Sequence, residues 1–132
     1  MKKRKTIFKQ FNIKNILKQQ MTTRSDLEFM CDKMGLDNVK INWLKDVDPL
    51  DTGMNIINIG NPSIGGTHWI ATYNGRYFDS FGLVPPEKLN RLEWTPLQIQ
   101  DIREGYCGNY CLLWLYYNKI GELDQFYNLF DY

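Results

Sequence analysis

Thr67-His68-Trp69-Ile70-Ala71-Thr72-Tyr73-Asn74-Gly75-Arg76-Tyr77-Phe78-Asp79-Ser80-Phe81 is the stretch that decides the fold. Asn74-Gly75 is a two-residue pair that tolerates the positive φ of a type I′ turn, and it is flanked on both sides by β-branched and aromatic residues. A tight hairpin follows, and its register is fixed. Tyr73 opposes Arg76, Thr72 opposes Tyr77 and Ala71 opposes Phe78; continued outward, Ile70 opposes Asp79, Trp69 opposes Ser80 and His68 opposes Phe81. Opposed residues share a face and side chains alternate, so His68, Ile70, Asp79 and Phe81 point the same way and Trp69 points the other. Asp79 becomes the diagonal neighbour of His68, with backbones about 7–8 Å apart, a gap the two side chains can span. A one-residue bulge would turn Asp79 away.

His68 is the chain's only histidine. It precedes Asp79 by 11 residues and Cys107 by 39. A cysteine, a histidine and an aspartate are the parts of a thiol nucleophile, its base and the group that orients the base, so the residue set points to a cysteine hydrolase. A carboxylate on Nδ1 of His68 would hold the tautomer and leave Nε2 for the thiol.

Cys107 stands where the polar loop Arg103-Glu104-Gly105-Tyr106 meets the apolar run Cys107-Gly108-Asn109-Tyr110-Cys111-Leu112-Leu113-Trp114-Leu115, which reads as a buried helix extending to Lys119. The unpaired N–H groups and dipole of a helix start favour a thiolate there. Gly108 would let a substrate backbone approach closely. The N–H of Cys107 can bind a developing oxyanion, and a side-chain amide would serve as a second donor. Gln98 and Gln100 both precede Cys107 on one strand face, and spacing does not choose between them. Cys31 and Cys111 read as packing residues, the first within the stripe Leu27, Met30, Cys31, Met34 and the second one turn deeper than Cys107. Three cysteines without a Cys-x-x-Cys spacing fit neither a disulfide framework nor a zinc site, so no metal or other cofactor is expected.

Before the hairpin, Ser25 can cap a helix through Met34 with Glu28 in capping-box position and Gly35 as its stop. Residues 36–53 read as loop with an apolar patch at Ile41 to Leu44. Asn55 to Ile59 reads as a strand. Beyond the hairpin come a short helix after Pro86, a strand near Leu97 to Gln100, the Cys107 helix and a last helical segment from Glu122 to Phe130. Strands and helices in this order give the α+β class: a small mixed sheet with a central hairpin packed against a buried helix that carries the nucleophile.

The chain has 132 residues, room for one domain that can bury roughly two-thirds of the surface its unfolded form exposes. Its formal charge of +1 conceals a division. Lys2, Lys3, Arg4, Lys5, Lys9, Lys14, Lys18 and Arg24 fall within the first 25 residues, where there is no acid, so all 15 acids lie downstream against the other 8 of 16 bases. Residues 1–24 therefore read as a basic arm and 25–132 as a single catalytic domain. The opening Lys2, Lys3, Arg4 and Lys5 suit DNA or another polyanion, or a nuclear address; a solvated tail and a short amphipathic helix through Phe8, Phe11, Ile16 and Leu17 are the other readings. No apolar run is long enough for a membrane span and no signal-peptide stretch follows the basic start, so an unsecreted protein of the cytoplasm or nucleus is expected.

Gly65-Gly66-Thr67-His68-Trp69, then Tyr77-Phe78-Asp79-Ser80-Phe81-Gly82, then Gln100, then Cys107-Gly108-Asn109-Tyr110-Cys111, together resemble the adenovirus-type (adenain-like) cysteine proteases, their relatives in virophages and large DNA viruses, and more distantly the SUMO- and NEDD8-specific proteases of the same clan. The resemblance runs from about Asn55 to Trp114. It implies His68, Asp79 and Cys107 as the catalytic triad, Gln100 with the Cys107 N–H as the oxyanion hole, and a Trp69 ring over the imidazole, whereas strand alternation sends Trp69 to the opposite face. It also implies an endopeptidase that cleaves capsid and core precursors at small, Gly-containing sites during virion maturation, located in the virion and the host cell and stimulated by DNA or a viral peptide. The His-to-Asp segment is a tighter hairpin than in similar proteins, which implies a compact groove or one completed by a partner. Removal of ubiquitin-like modifiers is the second enzymatic reading, and a binding module that kept the fold without the chemistry is the third.

Overall fold

The computed structural model describes residues 20–60, 68–99 and 105–130. The arm residues Lys2, Lys3, Arg4 and Lys5, the glycine pair before His68, and Gln100 lie outside them.

Helix α1 spans Arg24–Met34. Its cap is Thr23, whose Oγ1 accepts the Asp26 N–H at 3.1 Å. Ser25 therefore sits inside the first turn, and the expected cap shifts by two residues to Thr23, whose hydroxyl reaches the N–H three residues on. Gly35 ends the helix as expected, at φ 68°, with the Leu36 N–H returning to Cys31 O at 2.9 Å. Leu27, Met30, Cys31 and Met34 are all buried. Met21 is buried in the same core, so residues 21–24 belong to the folded body rather than to the arm, whose expected boundary moves toward the N-terminus.

Five strands follow: β1 Lys40–Trp43, β2 Asn55–Asn58, β3 Trp69–Tyr73, β4 Arg76–Phe78 and β5 Glu93–Trp94. They lie side by side in that order, with β1–β2 and β4–β5 parallel and the two central pairings antiparallel. β1 falls in the segment expected to be loop. It is an edge strand in which Ile41 alone is buried, too little to print a period-two pattern on the sequence. The strand expected at Leu97 to Gln100 is displaced to β5; Leu97 to Ile99 is irregular chain tied by the Ile99 N–H to Ser80 O at 2.9 Å.

The hairpin has the expected register: Tyr73 with Arg76, Thr72 with Tyr77 and Ala71 with Phe78. Asn74 and Gly75 both have positive φ, 53° and 78°. Pairing stops at Phe78, earlier than expected, because Asp79 opens a turn in which Gly82 N–H returns to Asp79 O at 2.8 Å.

Helix α2, Cys107–Lys119, begins at the expected residue and is buried at every position from Cys107 to Tyr117. Such a helix has no polar face because protein surrounds it. It lies against the row Ile41, Ile56, Ala71 and Phe78, which crosses four strands in register. α1 and the short helix α3, Leu123–Asn128, pack on α2, and Phe126 of α3 meets Phe78 edge-on at 5.5 Å. The other sheet face carries a smaller cluster of Val47, Ile57, Ile70, Tyr77 and Leu89. Mixed α+β architecture, with a five-stranded mixed sheet and a buried helix behind its central hairpin, is thus the fold. No helix among the described residues is long and apolar enough to cross a membrane.

Candidate active site

His68 immediately precedes β3, Asp79 immediately follows β4, and Cys107 is the first residue of α2. The fold brings the three together at the open end of the hairpin. His68 Nε2 and Asp79 Oδ1 are 2.8 Å apart, and the residues are 2% and 4% exposed. Asp79 Oδ1 also accepts the Phe81 N–H at 2.8 Å, which locks the carboxylate in the turn. The main-chain N–H of Trp69, next to His68, donates to Cys107 Sγ at 3.4 Å.

The ring nitrogen differs from expectation. Nε2 meets the carboxylate, leaving Nδ1 for the sulfur; Nδ1 is buried with no hydrogen-bond partner of ordinary geometry among the described residues. Asp79 lies past the end of the ladder and approaches the ring from a turn, so its reach to the ring does not follow from strand geometry. Burial of the imidazole disfavours its charge, but hydrogen bonding to Asp79 and Cys107 and the charges of both outweigh it and push its pKa up to about 9. The ring thus becomes a stronger base than a free histidine.

Phe81 covers the imidazole, stacked at 4.2 Å with the planes 4° apart. That is the role the resemblance gave to Trp69. As alternation required, the Trp69 ring lies on the opposite, helix-facing side, where its indole N–H donates to Thr22 O at 3.2 Å. The hairpin register already placed Phe81 on the face of His68, so the signal for its role was present.

Tyr106, the residue before α2, offers no side-chain cap, and the helix hydrogen bonds begin with Tyr110 N–H to Tyr106 O. The first-turn N–H groups, Cys107's included, therefore have no intrahelical acceptor. Gly108 is not open to substrate, contrary to expectation. A β-carbon there would lie 2.5 Å from Met21 O and 3.0 Å from Leu27 Cδ2, so the glycine admits the chain's own backbone. Gly82, at φ 70°, has a similar role on the other side: a β-carbon would come within 2.9 Å of the Leu97 and Gln98 backbone. Together with the Ile99 to Ser80 bond, this close approach fastens the segment leading to Gln100 onto the Asp79 turn.

The other thiols have different surroundings. Burial, then the Glu28 charge, pushes Cys31 up to about 11. Burial, then the charges of Cys107 and Asp79, raises Cys111 well above the usual thiol range. Both therefore stay protonated and serve as packing, as their apolar positions suggested. Compared with protein-family models, curated proteins and solved structures, the chain shows no significant match.

Proposed function

We propose that this chain is a cysteine endopeptidase with an adenain-like version of the fold, using Cys107 as nucleophile, His68 as base and Asp79 as the group that orients and charges the base. One observation carries the reading: a buried His68–Asp79 pair at 2.8 Å adjoins a cysteine sulfur at the first residue of a buried helix. Three groups that are costly to bury converge where no packing need explains them.

In the reaction, His68 takes the Cys107 proton and the sulfur attacks a peptide carbonyl carbon. The Cys107 N–H receives the oxyanion, with the Gln100 amide as the second donor. As the C–N bond breaks, the imidazolium returns its proton to the leaving amine. Water, deprotonated by His68, then attacks the thioester, releasing the acid and restoring the thiol. A proton affinity raised to about 9 suits a base that must hold the thiol's proton until the amine departs.

The substrates proposed are capsid and core precursor proteins, cut at small, Gly-containing sites during virion maturation in the host cell. An electrophilic thiol probe should label wild type and leave Cys107→Ala unlabelled; equal labelling of both would remove the enzyme reading. Incubation with capsid precursors beside Gly-Gly-terminated SUMO or NEDD8 adducts separates maturation from modifier removal. The basic arm is proposed to bind DNA with strongly salt-dependent affinity. Removing residues 1–19 should abolish that binding, and unchanged affinity would rule the arm out.

A further inference from the structure

Gln20, Met21 and Thr22 form a strap along the first turn of α2. The Gln20 carboxamide abuts Gly105, where a β-carbon would come within 2.8 Å of it. The Met21 carbonyl oxygen presses on Gly108, and the Met21 N–H donates to Asn109 Oδ1 at 3.0 Å. Thr22 O accepts the Trp69 indole N–H at 3.2 Å. Gly105 and Gly108 bracket Cys107 in the chain, so the strap touches the backbone before and after the nucleophile. Cys107 itself is only 8% exposed.

Asn109 is the unusual residue here. It is wholly buried and sits two residues into an otherwise apolar helix, in the catalytic turn, yet no step of the reaction uses it. Burying a carboxamide is costly unless it is hydrogen-bonded, and its side-chain oxygen accepts a bond from the strap.

We infer that residues 20–22 are a gate over the nucleophile and that Asn109 is the positioning residue that latches it shut, with the Trp69 indole as a second catch. Opening breaks the two hydrogen bonds and lifts Met21 from the core, a local event well short of global unfolding. The inference rests on the endopeptidase reading for what the gate admits, an extended peptide; the latch does not depend on that chemistry.

The test therefore needs no peptide. On the full chain, the Cys107 alkylation rate by iodoacetamide is followed by mass mapping, with Met21 amide hydrogen exchange measured in parallel. Asn109→Leu, which removes the acceptor at similar volume, should speed both by on the order of tenfold. Asn109→Asp keeps an acceptor at the same place and should speed Met21 exchange less than Asn109→Leu does, an outcome that loss of packing alone would not produce; its added charge acts on the thiol directly, so exchange is the readout for this variant. Trp69→Phe, which removes the indole donor to the strap and part of a buried ring, should speed both alkylation and Met21 exchange severalfold and keeps the test available if Asn109→Leu fails to fold. Unchanged Met21 exchange in Asn109→Leu would overturn the latch. Faster exchange with an unchanged or slower alkylation rate would overturn the gate. Either result leaves the labelling test of Cys107→Ala intact, so failure of the gate and failure of the peptidase reading remain distinguishable.

Discussion

The two ends of the β3–β4 hairpin are built on opposite principles. At the turn end, Asn74 and Gly75 close a regular ladder, and their backbones are tied to both neighbours, Asn74 N–H to Thr52 O and Glu93 N–H to Gly75 O, each at 2.9 Å. At the open end the ladder stops at Phe78, and the polar residues beyond it, His68, Asp79 and Ser80, are all buried. Regular pairing satisfies backbone groups and fixes direction. Where pairing stops, side chains are free to converge, and the open end gathers buried polar groups at a cost in stability. Asp79 Oδ2 is buried without a hydrogen-bond partner among the described residues, a state that costs about 1–3 kcal/mol.

The strongest way to break this contrast is Asp79→Asn, which keeps the shape and an acceptor for His68 and Phe81 but removes the charge. Turnover should fall on the order of 10²- to 10⁴-fold with the fold retained. The same variant changes how stability depends on pH. The His68 pKa in the folded chain, about 9, lies above the ordinary 6.5, so the folded state holds this proton more tightly than the unfolded state. The resulting stabilisation, roughly 3 kcal/mol, is complete below pH 6.5 and is lost as pH rises through 9. Denaturant titrations from pH 6 to 10 should show that decline in wild type and a much flatter profile in Asp79→Asn. Equal slopes would mean that the carboxylate does not charge the ring.

The sequence makes the two ends legible to different depths. Asn74-Gly75 fixes a register because two residues with positive φ admit few turns, and the register ran true as far as Phe78, beyond which a turn rather than the ladder brings Asp79 and Phe81 to His68. The start of α2 was equally plain, since a polar glycine loop gives way abruptly to an apolar run. Parity, however, says which face a residue takes and nothing about where a ladder stops, so the ring nitrogen that meets Asp79 was misassigned. Gly108 was read correctly as a site of close approach but assigned the wrong visitor, because a glycine records that something comes near without recording what. The strap left no trace at all: Met21 is a lone apolar residue between polar ones, and its partner Asn109 lies 88 residues away. β1 was missed for a related reason, its register being set by β2 rather than by a pattern of its own.

Two glycines with similar positive φ sharpen the comparison further. Gly82, at φ 70° beside the site, faces the Leu97 and Gln98 backbone, which cannot yield as the end of a side chain would. Gly82→Ala adds overpacking to backbone strain, and should cost about 2–4 kcal/mol. It should also lower kcat, since the same turn sets Asp79 and Phe81, and normal kcat would separate the turn from catalysis.

Gly75, at φ 78° in the hairpin turn, has nothing within 4 Å of where a β-carbon would stand. Gly75→Ala therefore meets the left-handed backbone penalty alone, about 1–2 kcal/mol, and no steric one. Its Tm should drop by a few degrees while kcat and the Cys107 alkylation rate below the transition match wild type. The turn end then affects how often the hairpin is folded and not what the folded hairpin does. A kcat defect in Gly75→Ala at temperatures where it is fully folded would show that the two ends are mechanically coupled. The division between a scaffold end and a chemical end would then fail.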